Sequence, residues 1–160
     1  MERPDQPGQL DPALIAEEDA LWHELHATID SFSPDEALAA GYFPEGWSAK
    51  DALAHIGAWL AEAGGALERL RGGTYVELPR DRIDAMNQGF LDAMRDATMS
   101  DVKAQATAAR SRMLSAWKEI SGSDDVAVAW IRKSGPEHYR EHLPRLQEWL
   151  RELRGLSPTQ

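Results

Sequence analysis

The run His138-Tyr139-Arg140-Glu141-His142 holds the residues whose types and spacing point most directly to chemistry. On a helix, two histidines four residues apart put their rings on one face, about 6 Å apart at Cβ, a separation that one metal ion bridges. At about 100° per residue, His142 falls inside the apolar arc of Tyr139, Leu143, Leu146, Trp149, Leu150 and Leu153, and His138 falls at its edge. Both rings are expected to look inward. Imidazole suits Zn²⁺, Ni²⁺, Cu²⁺ and Fe²⁺ alike, so the pair does not choose a metal.

A third ligand must come from another element, and His55 is the candidate. It sits beside an apolar stripe, one turn before Trp59 and about 40° from it. Taken alone, such a histidine is more often a hydrogen-bonded core residue than a ligand, so its meaning depends on what faces it. Three neutral imidazoles at about 2.0 to 2.1 Å hold a zinc-like ion and leave one position open, the pattern of catalytic sites. Glu62 and Glu141 are candidates for orienting ligands or moving protons, with Glu141 expected to face solvent; Trp59, Asn87, Trp130 and Tyr139 are candidates to line a pocket. His23 and His26 read as surface residues on the flank of the first helix. Cysteine is absent, which removes disulfides, thiolate ligands and a cysteine nucleophile together. Thiol chemistry would need a thiol that arrives as cosubstrate.

The elements that must position these groups read as helices. Asp11-Pro12 is a helix start, and Leu14, Ile15, Leu21, Trp22, Leu25, Ile29 and Phe32 carry an apolar stripe to about residue 32. Ser33-Pro34-Asp35-Glu36 opens a single turn, and Gly41, Pro44 and Gly46 punctuate the connection. Ser48 and Asp51 form a capping box for a second long helix over 48–71, which Gly72-Gly73 ends. A third helical run spans 81–120, either two helices or one bent near residue 99, with Ser100-Asp101 as the internal capping signal. Asn87 interrupts its apolar face and is either a hydrogen-bond hub or a pocket residue. Residues 121–135 read as an ordered loop packed through Trp130, and Gly135-Pro136 opens the last helix, with a kink expected at Pro144.

With 160 residues, the chain is expected to form one domain over 11–153, with a loose arm over 1–10 and a frayed tail over 154–160. Hydrophobic residues make up 42% and charged residues 28%, and no apolar run approaches a membrane span. The polar N-terminus lacks a signal-peptide core, so a cytoplasmic location is expected. With 27 acidic against 17 basic side chains and a formal charge of −10, phosphate backbones would be repelled, and nucleic acid is not an expected partner.

Three segments, Gly46-Trp47-Ser48-Ala49-Lys50-Asp51-Ala52-Leu53-Ala54-His55-Ile56, Ile83-Asp84-Ala85-Met86-Asn87 and His138-Tyr139-Arg140-Glu141-His142, resemble in order and separation the markers of the DinB-like superfamily. The resemblance implies an all-α four-helix bundle of mirror-variant up-and-down topology. It further implies His55, His138 and His142 as a divalent-metal triad, homodimerisation, and transferase or hydrolase chemistry on a small electrophile with a low-molecular-weight thiol such as bacillithiol or mycothiol. The Asn87 segment and the two-histidine run also resemble the colibactin self-resistance branch, where a reactive electrophile is hydrolysed without need of a metal. A bundle that only binds a hydrophobic small molecule, lined by Trp59, Trp117, Trp130 and Trp149, is the third expectation.

Overall fold

Asp11 accepts a hydrogen bond from the Ala13 N–H at 3.0 Å and starts α1 (Pro12–Asp30) where the sequence signal places it. The computed structural model describes residues 11–42, 46–120 and 124–156. The expected arm over 1–10, Pro44 and the last four residues of the tail lie outside them. Ser33 and Glu36 close a capping box on the short α2 (Pro34–Leu38), and Ser48 and Asp51 close another on α3 (Ala49–Gly72). Gly73, at φ 74°, turns the chain out of α3, a left-handed conformation that glycine adopts without a Cβ penalty. Then follow one 3₁₀ turn (Arg80–Arg82), α4 (Ile83–Met94), α5 (Met99–Lys118), α6 (Asp125–Ser134) and α7 (Pro136–Leu153). The protein is an all-α helical bundle, with no strand among the described residues.

The third helical run is two helices, separated at residues 95–98. The cap is Thr98, which accepts from the Asp101 N–H at 3.1 Å, two residues before the expected Ser100. Lys50 holds the break from α3. Its buried ammonium, carried by the first turn of α3, donates to the Arg95 carbonyl at 3.1 Å and the Ala97 carbonyl at 2.7 Å. Arg95 caps the end of α4 and Ala97 lies in the connection to α5, both past the last residue of α4, and a cation there also suits the helix dipole.

The expectation of a loop over 121–135 is corrected: residues 125–134 form α6, while 121–123 lie outside the described residues. Asp124 accepts from the Ala127 N–H at 2.9 Å and supplies the cap. Ala127, Ile131 and Ser134, at helical spacing, are buried against α3 and α7. A ten-residue helix is marginal in water, so this packing stabilises it more than its valine-rich sequence does.

α3 is the axis of the bundle. Leu53, Ile56, Leu60 and Leu67 are fully buried, each contributing about 1.5 to 3 kcal/mol. They pack with Val102, Ala106, Met113 and Trp117 of α5 in one apolar core. Gly57 permits the close approach of these two helices, since a Cβ there would lie 3.1 Å from the Ala106 backbone and side chain. On the other side α1 packs along α7, with Trp22 against Tyr139 at 5.7 Å between ring centroids. α7 stays helical through Pro144. No helix among the described residues is long and apolar enough to cross a membrane.

Candidate metal centre

α3 and α7 bring the three histidines together. His55, His138 and His142 are all buried, and one ring nitrogen from each lies within 4.8 Å of the others. Ring centroids are 4.8 Å apart for His55 and His138, 5.4 Å for His55 and His142, and 4.8 Å for the α7 pair. They are the one such group of histidine or carboxylate side chains among the described residues. His23 hydrogen-bonds its own helix at the Asp19 carbonyl, and His26 packs edge-on against Trp22, so neither joins a cluster.

Burial keeps all three rings neutral, which is the form that binds metals. Loss of hydration lowers the pKa of His55 to about 4. It lowers His142 to about 4, with His55 adding to the effect. His138 falls to about 2, first through burial and then through the neighbouring His142 and His55, while the Ser134 carbonyl works the other way.

The Nε2 atoms of His138 and His142 lie 3.1 Å apart. Between two neutral rings that gap must hold a shared proton or a cation, because two facing lone pairs repel. Nitrogens bound at about 2.05 Å to one tetrahedral ion sit about 3.3 Å apart, close to this spacing. The Nδ1 atoms of His55 and His138 are buried without a well-formed hydrogen bond, although the Ser134 carbonyl at the end of α6 lies close enough to the His138 ring to raise its pKa. Leaving such a group unsatisfied costs about 1 to 3 kcal/mol, and it is the Nε2 atoms of His138 and His142, not these Nδ1 atoms, that face each other across the gap an ion would fill. The donor set therefore fits a divalent ion, and imidazole alone does not select which.

A cleft of about 760 Å³ opens beside the triad between α3, the 73–79 segment, α4, α6 and α7, with His138 in its lining. Trp59, Tyr75, Leu78, Ile83 and Trp130 give it apolar walls, and Glu77, Arg80, Asp125, Lys133 and Glu141 bring charge. Trp130 donates from Nε1 to the Tyr75 hydroxyl at 3.0 Å, which fixes two of the walls to each other.

The other residues singled out from sequence separate into those on the cleft and those off it. Trp59, Trp130 and the exposed Glu141 line it. Asn87 does not; its Oδ1 accepts from Trp59 Nε1 at 2.8 Å, so it is the hydrogen-bond partner that orients a wall. Glu62 lies off the cleft and pairs with Arg69 at 3.6 Å. Tyr139 is corrected from pocket lining to core: it is fully buried toward α1, its hydroxyl 3.5 Å from Glu18. One residue beyond His138, it points about 100° away around the helix and cannot share the ring's direction. Trp117 is fully buried, and Trp149 packs on Gly41, so neither lines the cleft.

Sequence reasoning missed Tyr42 and Glu18. The Tyr42 hydroxyl lies 2.9 Å from His142 Nδ1, although it belongs to the α2–α3 connection, 100 residues away. No periodicity marks such a residue. Glu18 is fully buried and makes a two-pronged ion pair with Arg110 of α5. Its signal was available, since it stands four residues from both Leu14 and Trp22 on the buried stripe.

A solved structure of an uncharacterised protein from Escherichia coli UTI89 has a similar fold, with a TM-score of 0.75 and 14% sequence identity, over 91% of this chain and 94% of that one. At that identity the likeness speaks to the fold alone. No family model matches the chain, and no curated protein matches it.

Proposed function

We propose that this protein is a divalent-metal-dependent transferase or hydrolase acting on a small electrophilic molecule, of the DinB-like kind and topology, with a low-molecular-weight thiol as cosubstrate. The observation that carries the reading is the convergence of three neutral, buried imidazoles, one of which, His138, lines a cleft of about 760 Å³. His55, His138 and His142 would hold the ion, for which Zn²⁺ and Ni²⁺ are the first candidates among those that imidazole suits. When bound, such an ion would supply the Lewis acidity that makes a nucleophile available at neutral pH.

The remaining work falls to the chain's own side chains. Trp59, Tyr75 and Trp130 exclude water and favour an apolar, flat substrate. Of the two carboxylates singled out from sequence, Glu141 is the one on the cleft, and it takes up the proton released there. The thiol comes from outside because the chain has none. In this reading the protein works in the cytoplasm, as a homodimer.

Metal analysis of protein purified without chelator or an affinity-tag metal tests the proposal. Stoichiometric zinc or nickel that disappears in His138→Ala supports it; clean metal-free protein that takes up neither ion refutes it. The competing reading, a metal-independent self-resistance hydrolase or binding bundle, draws on the 3.1 Å Nε2–Nε2 contact, a distance that also suits an N–H···N hydrogen bond. Turnover of reactive electrophiles in fully metal-free protein, with and without added thiol, separates the two.

A further inference from the structure

The α2–α3 connection touches both halves of the histidine triad. From one end of it the Tyr42 hydroxyl meets His142 Nδ1 at 2.9 Å and lies 3.4 Å from the His142 carbonyl. From the other end the Trp47 ring packs against His55, 5.0 Å between centroids. Tyr42 is fully buried and held from several directions. The N–H groups of Gly41 and Tyr42 both donate to the Trp47 carbonyl, at 2.9 and 2.8 Å. The Arg145 guanidinium covers the Tyr42 ring at 5.5 Å. Gly41, at φ +125°, lies flush with Trp149, where a Cβ would come within 2.7 Å of the indole. Only glycine fits both that backbone conformation and that contact.

We propose that Tyr42 is a positioning residue for the triad, which fixes the ring orientation of His142 and accepts its Nδ1–H when Nε2 binds a metal ion. The logic is that of proton placement. An imidazole that ligates through Nε2 must carry its proton on Nδ1, and a buried Nδ1–H needs an acceptor. The phenol oxygen is that acceptor, and its own hydrogen turns to the His142 carbonyl. Of the three histidines His142 is the one whose Nδ1 meets a side-chain partner; the His55 Nδ1 makes no hydrogen bond, and the His138 ring has the Ser134 carbonyl at the end of α6 without a well-formed bond to it. Gly41 and the paired N–H bonds to Trp47 make the hydroxyl rigid, so the orientation is set before any ion arrives.

The metal part of this proposal rests on the three-histidine reading above, and the test separates the two. Zn²⁺ affinity is measured by competition with a chromophoric chelator for wild type, Tyr42→Phe and Gly41→Ala, alongside ¹⁵N spectra of the His142 ring in metal-free protein at pH 8. Tyr42→Phe keeps the ring and removes only the hydroxyl, and its affinity is expected to fall about 10- to 100-fold. Gly41→Ala keeps the hydroxyl but displaces it, and should weaken binding in the same direction. Tyr42→Phe within two-fold of a zinc-binding wild type overturns the proposal. If wild type itself binds no Zn²⁺, the metal reading fails and the spectra decide on Tyr42: a displaced His142 Nδ1 signal in Tyr42→Phe upholds its positioning role, and an unmoved signal overturns it.

Discussion

Lowering the pH of metal-free protein from 7.5 to 5.5 should remove a large part of its stability, and the buried triad sets the size of the loss. Each histidine has a pKa near 6.5 in the unfolded chain, against about 4, about 2 and about 4 for His55, His138 and His142 in the fold. Above pH 6.5 both states are neutral and the full stability is present. Below it the unfolded chain takes up protons that the fold refuses, so stability falls with pH until the folded pKa values are reached. Each group contributes about 1.4 kcal/mol per pH unit in that window, so three groups remove about 4 kcal/mol by pH 5.5, out of a typical 5 to 15. His26, also lowered by burial, adds in the same direction. Urea titrations followed by tryptophan fluorescence, with chelator present, measure this directly. Replacing His55 with Gln should remove roughly a third of the triad's pH dependence while leaving that of His26. A loss under about 1 kcal/mol between pH 7.5 and 5.5, or an unchanged slope in the variant, would show that the rings are hydrated and refute the reasoning.

Zinc at a hundred times its dissociation constant should raise stability by about 2.7 kcal/mol, a thermal shift of about 5 to 10 °C for a chain this long. Differential scanning calorimetry reads it, and the shift should vanish in His142→Ala. Glu18→Ala should cost about 2 kcal/mol in a denaturation midpoint, less than a fully buried broken pair because Arg110 keeps Asp19 at 3.0 Å and is partly exposed. Replacing Glu18 and Arg110 together with Met and Leu should recover most of that loss, and failure to recover it would show that the pair does more than satisfy each other's charge. Gly57→Leu should destabilise by about 1 to 3 kcal/mol or more, because Ala106 of α5 occupies the space; a neutral result by thermal melting would mean that α3 and α5 are not in contact there.

The sequence by itself determined the elements whose causes are local. Ser48 with Asp51, Asp11 before Pro12 and the 3.6-residue stripes act within a few residues, so the all-α bundle and most helix starts were legible in the string. The four-residue spacing of His138 and His142 likewise fixed their shared face. Tertiary structure decided what depends on a neighbour distant in sequence. α6 is a helix because α3 and α7 cover its inner face, and Lys50 of α3 reaches the Arg95 and Ala97 carbonyls and holds the break after α4 in place. Asn87 holds Trp59 and leaves the cleft to others, a choice made by the packing of α4 on α3. His55, read alone from sequence, was more often a core residue than a ligand, and its meaning depended on what faced it. Only the packing of α3 against α7 put it opposite the other two rings, and only a hydroxyl 100 residues from His142 gave one of them a fixed orientation. Helix capping is a short-range force that sequence displays; the meeting of side chains from separate helices is a property of packing, and this site is made of such a meeting.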